Sequence, residues 1–170
     1  MSSSINSQFT VVDEERFRKA CAQFATGIAI ATISGRLGEP FGITVNSFTS
    51  VSCAPPLVLV CIDYRSSILP DFRNSTHYGI NVLNEGQRDV SVRFSQPELD
   101  RFEGIGWRPG ISGVPLLDSV LATMECHITQ TVEAGDHAIF IAEVVNADAI
   151  EGRPLLYFGS GYCGSTGSVK

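Results

Sequence analysis

Gly42-Ile43-Thr44-Val45-Asn46-Ser47-Phe48-Thr49-Ser50-Val51-Ser52 decides how this chain reads. Its β-branched and aromatic residues specify extended backbone, yet it carries far more hydroxyl and amide groups than an ordinary core strand. Counting by twos places Thr44, Asn46, Ser50 and Ser52 on one side, while Ser47 and Thr49 interrupt the apolar side begun by Val45 and Val51. Neither face is purely apolar. Buried hydroxyls and amides need partners, so a strand offering many at once is suited to line a flat polar ligand. A solvated edge strand would have the same composition, and the rest of the chain chooses between the two.

The chain has 170 residues, enough for one domain with a single sizeable core. Hydrophobic residues at 44% and charged residues at 18% fit a folded globular protein. The net charge is -6 and no Lys/Arg run is present, which argues against nucleic-acid and anionic-membrane partners. Any anionic ligand must then be held locally, by backbone N–H groups and a few side chains. No secretory signal and no membrane-length apolar run is visible, and five cysteines without a Cys-x-x-Cys pair point to a reducing cytoplasm.

Outward from the opening stretch, Phe17, Ala20, Cys21 and Phe24 recur at helical spacing between Asp13, an N-cap, and Gly27, a C-cap. Residues 28–33 read as a strand that pairs with 42–52 through the loop 34–40. Ala54-Pro55-Pro56 should break pairing before a buried strand over 57–62. Pro70 is tolerated only in a first helical turn, so a short helix should begin near Ser67 with a serine as its cap. Free N–H groups there, with Ser66, Ser67 and Arg65, form a candidate anion site; the alternative is that the serines only cap a helix.

Further strands are expected over 78–83, 120–131, 138–148 and 154–158, and a helix over 85–95. The turn between the two long strands is placed at 133–137. Trp107, the single tryptophan, sits in a glycine-rich loop and reads as a plug over the core. His137 follows Gly135-Asp136 in a turn, and His127 reads as a surface or interface residue. Residues 1–12 are expected to be an extension, 13–163 the domain and 164–170 a disordered tail. About seven strands, few helices and no βαβ alternation predict an antiparallel barrel or sandwich.

Several signals fail. Gly159-Ser160-Gly161-Tyr162-Cys163-Gly164 matches a dinucleotide fingerprint, but too little chain follows to form the receiving helix. Glu125-Cys126-His127 resembles a metal cluster only in print, since strand neighbours face opposite ways, and no metal is expected. No Walker or Gly-x-Ser-x-Gly motif is present.

The chain resembles the flavin reductase family with the FMN-binding split-barrel fold. The resemblance runs through Phe24-Ala25-Thr26-Gly27, the opening stretch, Pro55-Pro56-Leu57-Val58-Leu59-Val60, Asn81-Val82-Leu83, Asp100-Arg101-Phe102, Gly113-x-Pro115-Leu116-Leu117, Gly135-Asp136-His137 and Pro154-Leu155-Leu156-Tyr157-Phe158. It implies a mainly β, antiparallel, Greek-key split barrel that dimerises with itself and binds FMN or FAD. Thr44, Val45, Asn46, Ser47, Phe48, Thr49, Ser50 and Ser52 would contact the isoalloxazine. Cys61, Asp63, Ser66 and Ser67 would serve the phosphate, a phosphate near Arg101 instead being the alternative placement, and Asn81, Val82 and Leu83 would add backbone contacts. His137 would lie near the nicotinamide of NADH or NADPH. The implied activity is flavin reduction for a partner monooxygenase; a non-catalytic FMN carrier or sensor is the alternative. Gly159-Ser160-Gly161 departs from relatives that carry arginine there, which removes one nicotinamide-phosphate contact.

Overall fold

The computed structural model describes residues 11–97 and 100–164. Helix α1 (Glu14–Cys21) starts as expected: Asp13 Oδ1 accepts the Arg16 N–H at 2.8 Å. It stops earlier than expected, because Thr26–Gly27 is drawn into a strand, β1, paired with residues 156 and 157. No residue of α1 is buried.

Strands β2 (Ala29–Ser34) and β3 (Pro40–Val45) form the predicted hairpin. The stretch Gly42–Ser52 is not one strand. It divides into the end of β3 and a separate β4 (Thr49–Cys53), which pairs with β5 (Pro56–Asp63). Ala54-Pro55, with a cis bond, closes this hairpin, and Cys53 pairs with Pro56, so the prolines turn the chain without ending the ladder. Pro56 opens β5, where a missing N–H is tolerated.

After α2 (Leu69–Asn74) come β6 (His77–Val82), α3 (Arg88–Ser95), the small hairpin β7 (Trp107–Pro109) and β8 (Pro115–Leu117), the long pair β9 (Ala122–Ala134) and β10 (His137–Ala149), and the closing hairpin β11 (Leu155–Phe158) and β12 (Gly161–Gly164). α3 begins later than expected because Asn84 and Gln87 fold 84–87 into a turn: Asn84 Oδ1 accepts the Gly86 N–H, and Gln87 Oε1 the Asn84 N–H. Strand β12 lies beyond the expected elements; Gly159 and Ser160, at φ 59 and 65°, make the two-residue turn that lets 161–164 fold back. The expected tail beyond it and most of the expected N-terminal extension fall outside the described residues.

The main sheet has seven strands in the order β3-β2-β6-β9-β10-β5-β4, and every ladder in it is antiparallel. Its two edges, β3 and β4, are consecutive in the chain and separated only by Asn46-Ser47-Phe48. Such a link spans at most about 14 Å, whereas seven flat strands would spread over about 29 Å. The sheet therefore curls, bringing its edges toward each other without a ladder between them.

Two cores follow. The larger is built on Phe72, Tyr78 and Phe140, with Phe72 5.2 Å from the Phe140 ring and 5.9 Å from the Tyr78 ring. The smaller holds Phe94, Phe102 and Leu155, and Trp107 packs edge-on against Phe102 at 5.8 Å, the plug that its loop suggested.

Candidate functional site

The division of the opening stretch sorts its polar groups by task. Ser47, on the link, latches β5: its hydroxyl accepts the Cys61 N–H at 3.0 Å and donates to the Cys61 carbonyl at 3.1 Å. Thr44 donates to the Ser91 carbonyl of α3 at 2.6 Å. Val45 is buried and Phe48 packs against the larger core. Asn46, Thr49 and Ser50 remain exposed. Ser52 is half-buried and accepts the Ala54 N–H at 3.2 Å. Among the described residues β4 pairs only with β5, so its other side offers backbone N–H and C=O groups beside those hydroxyls.

A cavity of about 390 Å³ opens where β3, the start of α2, Pro97 and residues 100–102 meet. Phe41, Gly42 and Phe102 form apolar walls; Ser67, Arg101, Asp71 and Asp100 supply polar groups. Arg101 is held rigidly: Nε donates to the Gln96 carbonyl at 2.8 Å and Nη1 to the Gly42 carbonyl at 2.5 Å. Burial lowers its pKa from the ordinary value. Gly42 is required here, since a Cβ would stand 2.6 Å from Phe94 Cε1.

The expected anion site is rearranged around this cavity. α2 begins at Leu69 with Ile68 as N-cap and no side-chain cap, so neither serine caps it; the Ser66 carbonyl accepts the Leu69 N–H at 3.1 Å. Arg65 turns away to Asp63, at 2.6 Å, and its guanidinium holds the Asp63 carboxyl far below the usual carboxylate range. Ser67 instead shares the cavity with Arg101, 34 positions further along the chain.

Asp63 also pairs across strands with His137. The β9–β10 turn is tighter than expected, only Gly135 and Asp136, with Gly135 at φ +62°; His137 is thus the first residue of β10. Its Nδ1 lies 2.6 Å from Asp136 Oδ1, and this hydrogen bond holds the Asp136 carboxyl below its ordinary value. Beside it, Glu133 receives the Tyr64 hydroxyl and Arg73 Nη2, the latter at 2.9 and 3.0 Å. Sequence reasoning did not single out Tyr64, Arg73 or Glu133; partners 60 or more residues apart leave no spacing signal.

Asn81, Val82 and Leu83 sit apart from these groups. Asn81 is fully buried, its amide donating to the Ile30 carbonyl and Thr32 and its Oδ1 accepting the Leu117 N–H at 2.7 Å. The Val82 carbonyl accepts from Leu121, and Leu83 exchanges bonds with Ile28 and Leu155. The Asn81 side chain, the Val82 carbonyl and the Leu83 backbone thus bond within the fold.

Residues 21–166 match the flavin reductase like domain family. The chain belongs to the flavin reductase family. It is 41% identical over 152 residues to a probable flavin reductase of Rhizobium meliloti, an alignment that covers 89% of this chain and 49% of that protein. The chain thus spans about half the length of that relative. It is 36% identical to the flavin-dependent monooxygenase reductase subunit HsaB of Mycobacterium tuberculosis, covering 90% of this chain and 83% of the relative. The solved structure of the Streptomyces globisporus NADH:FAD oxidoreductase SgcE6, in complex with NAD and FAD fragments, superposes with a TM-score of 0.87 at 32% identity, covering 95% of this chain and all of that one.

The donor set of this flavin reductase domain fits a flavin nucleotide. An aromatic ring edged by carbonyl and N–H groups matches the open side of β4 and the hydroxyls of Thr49 and Ser50. A phosphate matches Arg101, whose guanidinium lines the cavity and bonds the Gln96 and Gly42 carbonyls with two of its five N–H donors. The carboxylates of Asp71 and Asp100 limit how much negative charge the cavity accepts.

Proposed function

We propose that the chain is an NADH-dependent flavin reductase, acting as a cytoplasmic homodimer of split barrels that delivers reduced FMN or FAD to a partner monooxygenase. The reading rests on one observation above others: the exposed Thr49 and Ser50 stand on an edge of β4 that no described strand pairs, beside the exposed Asn46 of the link, in a chain that matches the flavin reductase family over 21–166. Asn46, Thr49, Ser50 and the β4 backbone hold the isoalloxazine edge, while Ser67 and Arg101 hold the phosphate. The Ser47 latch to Cys61 fixes the link on which these donors depend. Val45 and Phe48 back it from the core.

When bound, flavin supplies the redox chemistry, taking at N5 the hydride that leaves nicotinamide C4. The protein contributes position and charge: two stacked rings require fixed donors along one edge and no general acid or base. His137, braced by Asp136 at the hairpin turn, bonds the nicotinamide nucleotide. The similarity to the Streptomyces NADH:FAD oxidoreductase, solved with an NAD fragment, favours NADH over NADPH; the acidic neighbours Asp63, Glu133 and Asp136 also disfavour an additional phosphate there.

Supply to an oxygenase follows from the similarity to the Mycobacterium monooxygenase reductase subunit. The dimer is supported by α1, which buries nothing and leaves Phe17 59% exposed, and by Phe24 at 77%. Leu57, Leu59, Ile139 and Ile141 add a half-buried apolar row on the outer face of β5 and β10. No helix among the described residues is long and apolar enough to cross a membrane, and the five cysteines are unpaired, as a reducing compartment would leave them.

Anaerobic stopped-flow mixing of protein, FMN and NADH tests the proposal. Flavin absorbance should bleach far faster than without protein. Bleaching at the uncatalysed rate with both FMN and FAD, and with both NADH and NADPH, would refute it.

A further inference from the structure

Two of the chain's three histidines stand together away from the groups described above. His77 opens β6 and His127 lies directly opposite it on β9, with ring centroids 4.8 Å apart. The register then places Glu143 of β10 opposite His127, so His77, His127 and Glu143 form one row across three adjacent strands. Directly opposed residues project from the same face of a sheet. His127 is exposed and the other two are half-buried, so solvent reaches the row.

The surroundings prepare the two rings as ligands. His77 Nδ1 lies 3.0 Å from Thr76 Oγ1; with the hydroxyl as acceptor, the tautomer leaves the Nε2 lone pair free. Glu125, opposite Gly79 in the same ladder, adds negative potential nearby. Arg36, which lines a 750 Å³ cleft together with His77, opposes it. No three metal-binding side chains converge among the described residues, so what the rings offer is a two-imidazole chelate with water filling the remaining positions.

We propose that His77 and His127 form a cross-strand site for a late first-row divalent cation, Zn²⁺, Ni²⁺ or Cu²⁺, with water filling the remaining positions. Imidazole favours these ions over Mg²⁺ or Ca²⁺. The ion ties β6 to β9, and because unfolding separates the rings, binding raises thermal stability by mass action. The site is independent of the flavin reading.

Chelator-treated full-length protein titrated with NiCl₂ by calorimetry should bind one ion per chain and melt at a higher temperature once saturated. His77→Gln and His127→Gln should each weaken binding at least tenfold and remove the rise in melting temperature, the double variant being no worse than either. His137→Gln should retain the ion. Electron paramagnetic resonance of the wild-type Cu²⁺ complex should show coupling to two nitrogens, a readout that survives even if a variant fails to fold. No stoichiometric binding, binding unchanged in both histidine variants, or a Cu²⁺ spectrum without two-nitrogen coupling would overturn the site.

Discussion

Removing Arg101 separates a ligand contact from a scaffold contact within one residue. Two of its five N–H donors bond the carbonyls of Gln96 and Gly42, and the guanidinium lines the cavity shared with Ser67, where a phosphate would meet it. A hydrogen bond to a charged group contributes about 1.5–3 kcal/mol. Arg101→Ala should therefore weaken FMN roughly 10- to 150-fold. Ser67→Ala removes a neutral donor, about 0.5–1.5 kcal/mol, for a loss of roughly 2- to 12-fold. Riboflavin shares the isoalloxazine and ribityl chain but has no phosphate, so its affinity should barely change in either variant. Quenching of flavin fluorescence measures both ligands on the same preparation. The ratio of the two losses is the decisive quantity, because Arg101→Ala also orphans two carbonyls and lowers stability. Equal losses for FMN and riboflavin would mean that Arg101 only braces Gly42 and that the phosphate lies elsewhere.

Other substitutions address the remaining groups. His137→Ala should raise KM for NADH about 2- to 12-fold, the loss of one neutral hydrogen bond, and leave the flavin Kd unchanged; steady-state kinetics at saturating flavin decides this. Glu125 is buried, and although burial pushes its carboxyl up, bonds from Ser112, Asn146 and Ile111 outweigh that and hold it below the ordinary value. A depressed folded pKa stabilises above the unfolded value, about 4.3, and the benefit is lost as pH falls through the folded pKa. Urea unfolding should accordingly show Glu125→Gln to be weaker by about 1–3 kcal/mol at pH 7, with the difference shrinking on acidification below about pH 4. Phe72→Ala, which opens the larger core beneath Tyr78 and Phe140, should cost about 3–5 kcal/mol by the same assay. Phe17→Asp on α1 should leave the monomer fold intact and shift the mass seen by light scattering from dimer to monomer.

Much of the secondary structure was legible because its causes are local. Asp13 caps α1 through its own side chain, and the β-branched and aromatic residues of 138–148 specified β10, whose Ala138, Phe140 and Ala142 face the core. Gly135-Asp136 made a turn certain, though the glycine's positive φ tightened it and moved His137 onto the strand.

The sequence by itself determined a mainly β chain, its turns and the polar richness of 42–52, since propensity, glycine and proline act over a few residues. Only the tertiary structure decided that this stretch divides, so that its two halves edge a curled sheet while Ser47 is spent on Cys61 and Thr44 on Ser91. The same holds for Arg65, whose sequence position suggested an anion contact but whose charge goes to Asp63, leaving Arg101 to meet Ser67. Whether a polar side chain is free or consumed depends on a partner brought near by folding, and neither the distance along the chain nor the residue type encodes that partner.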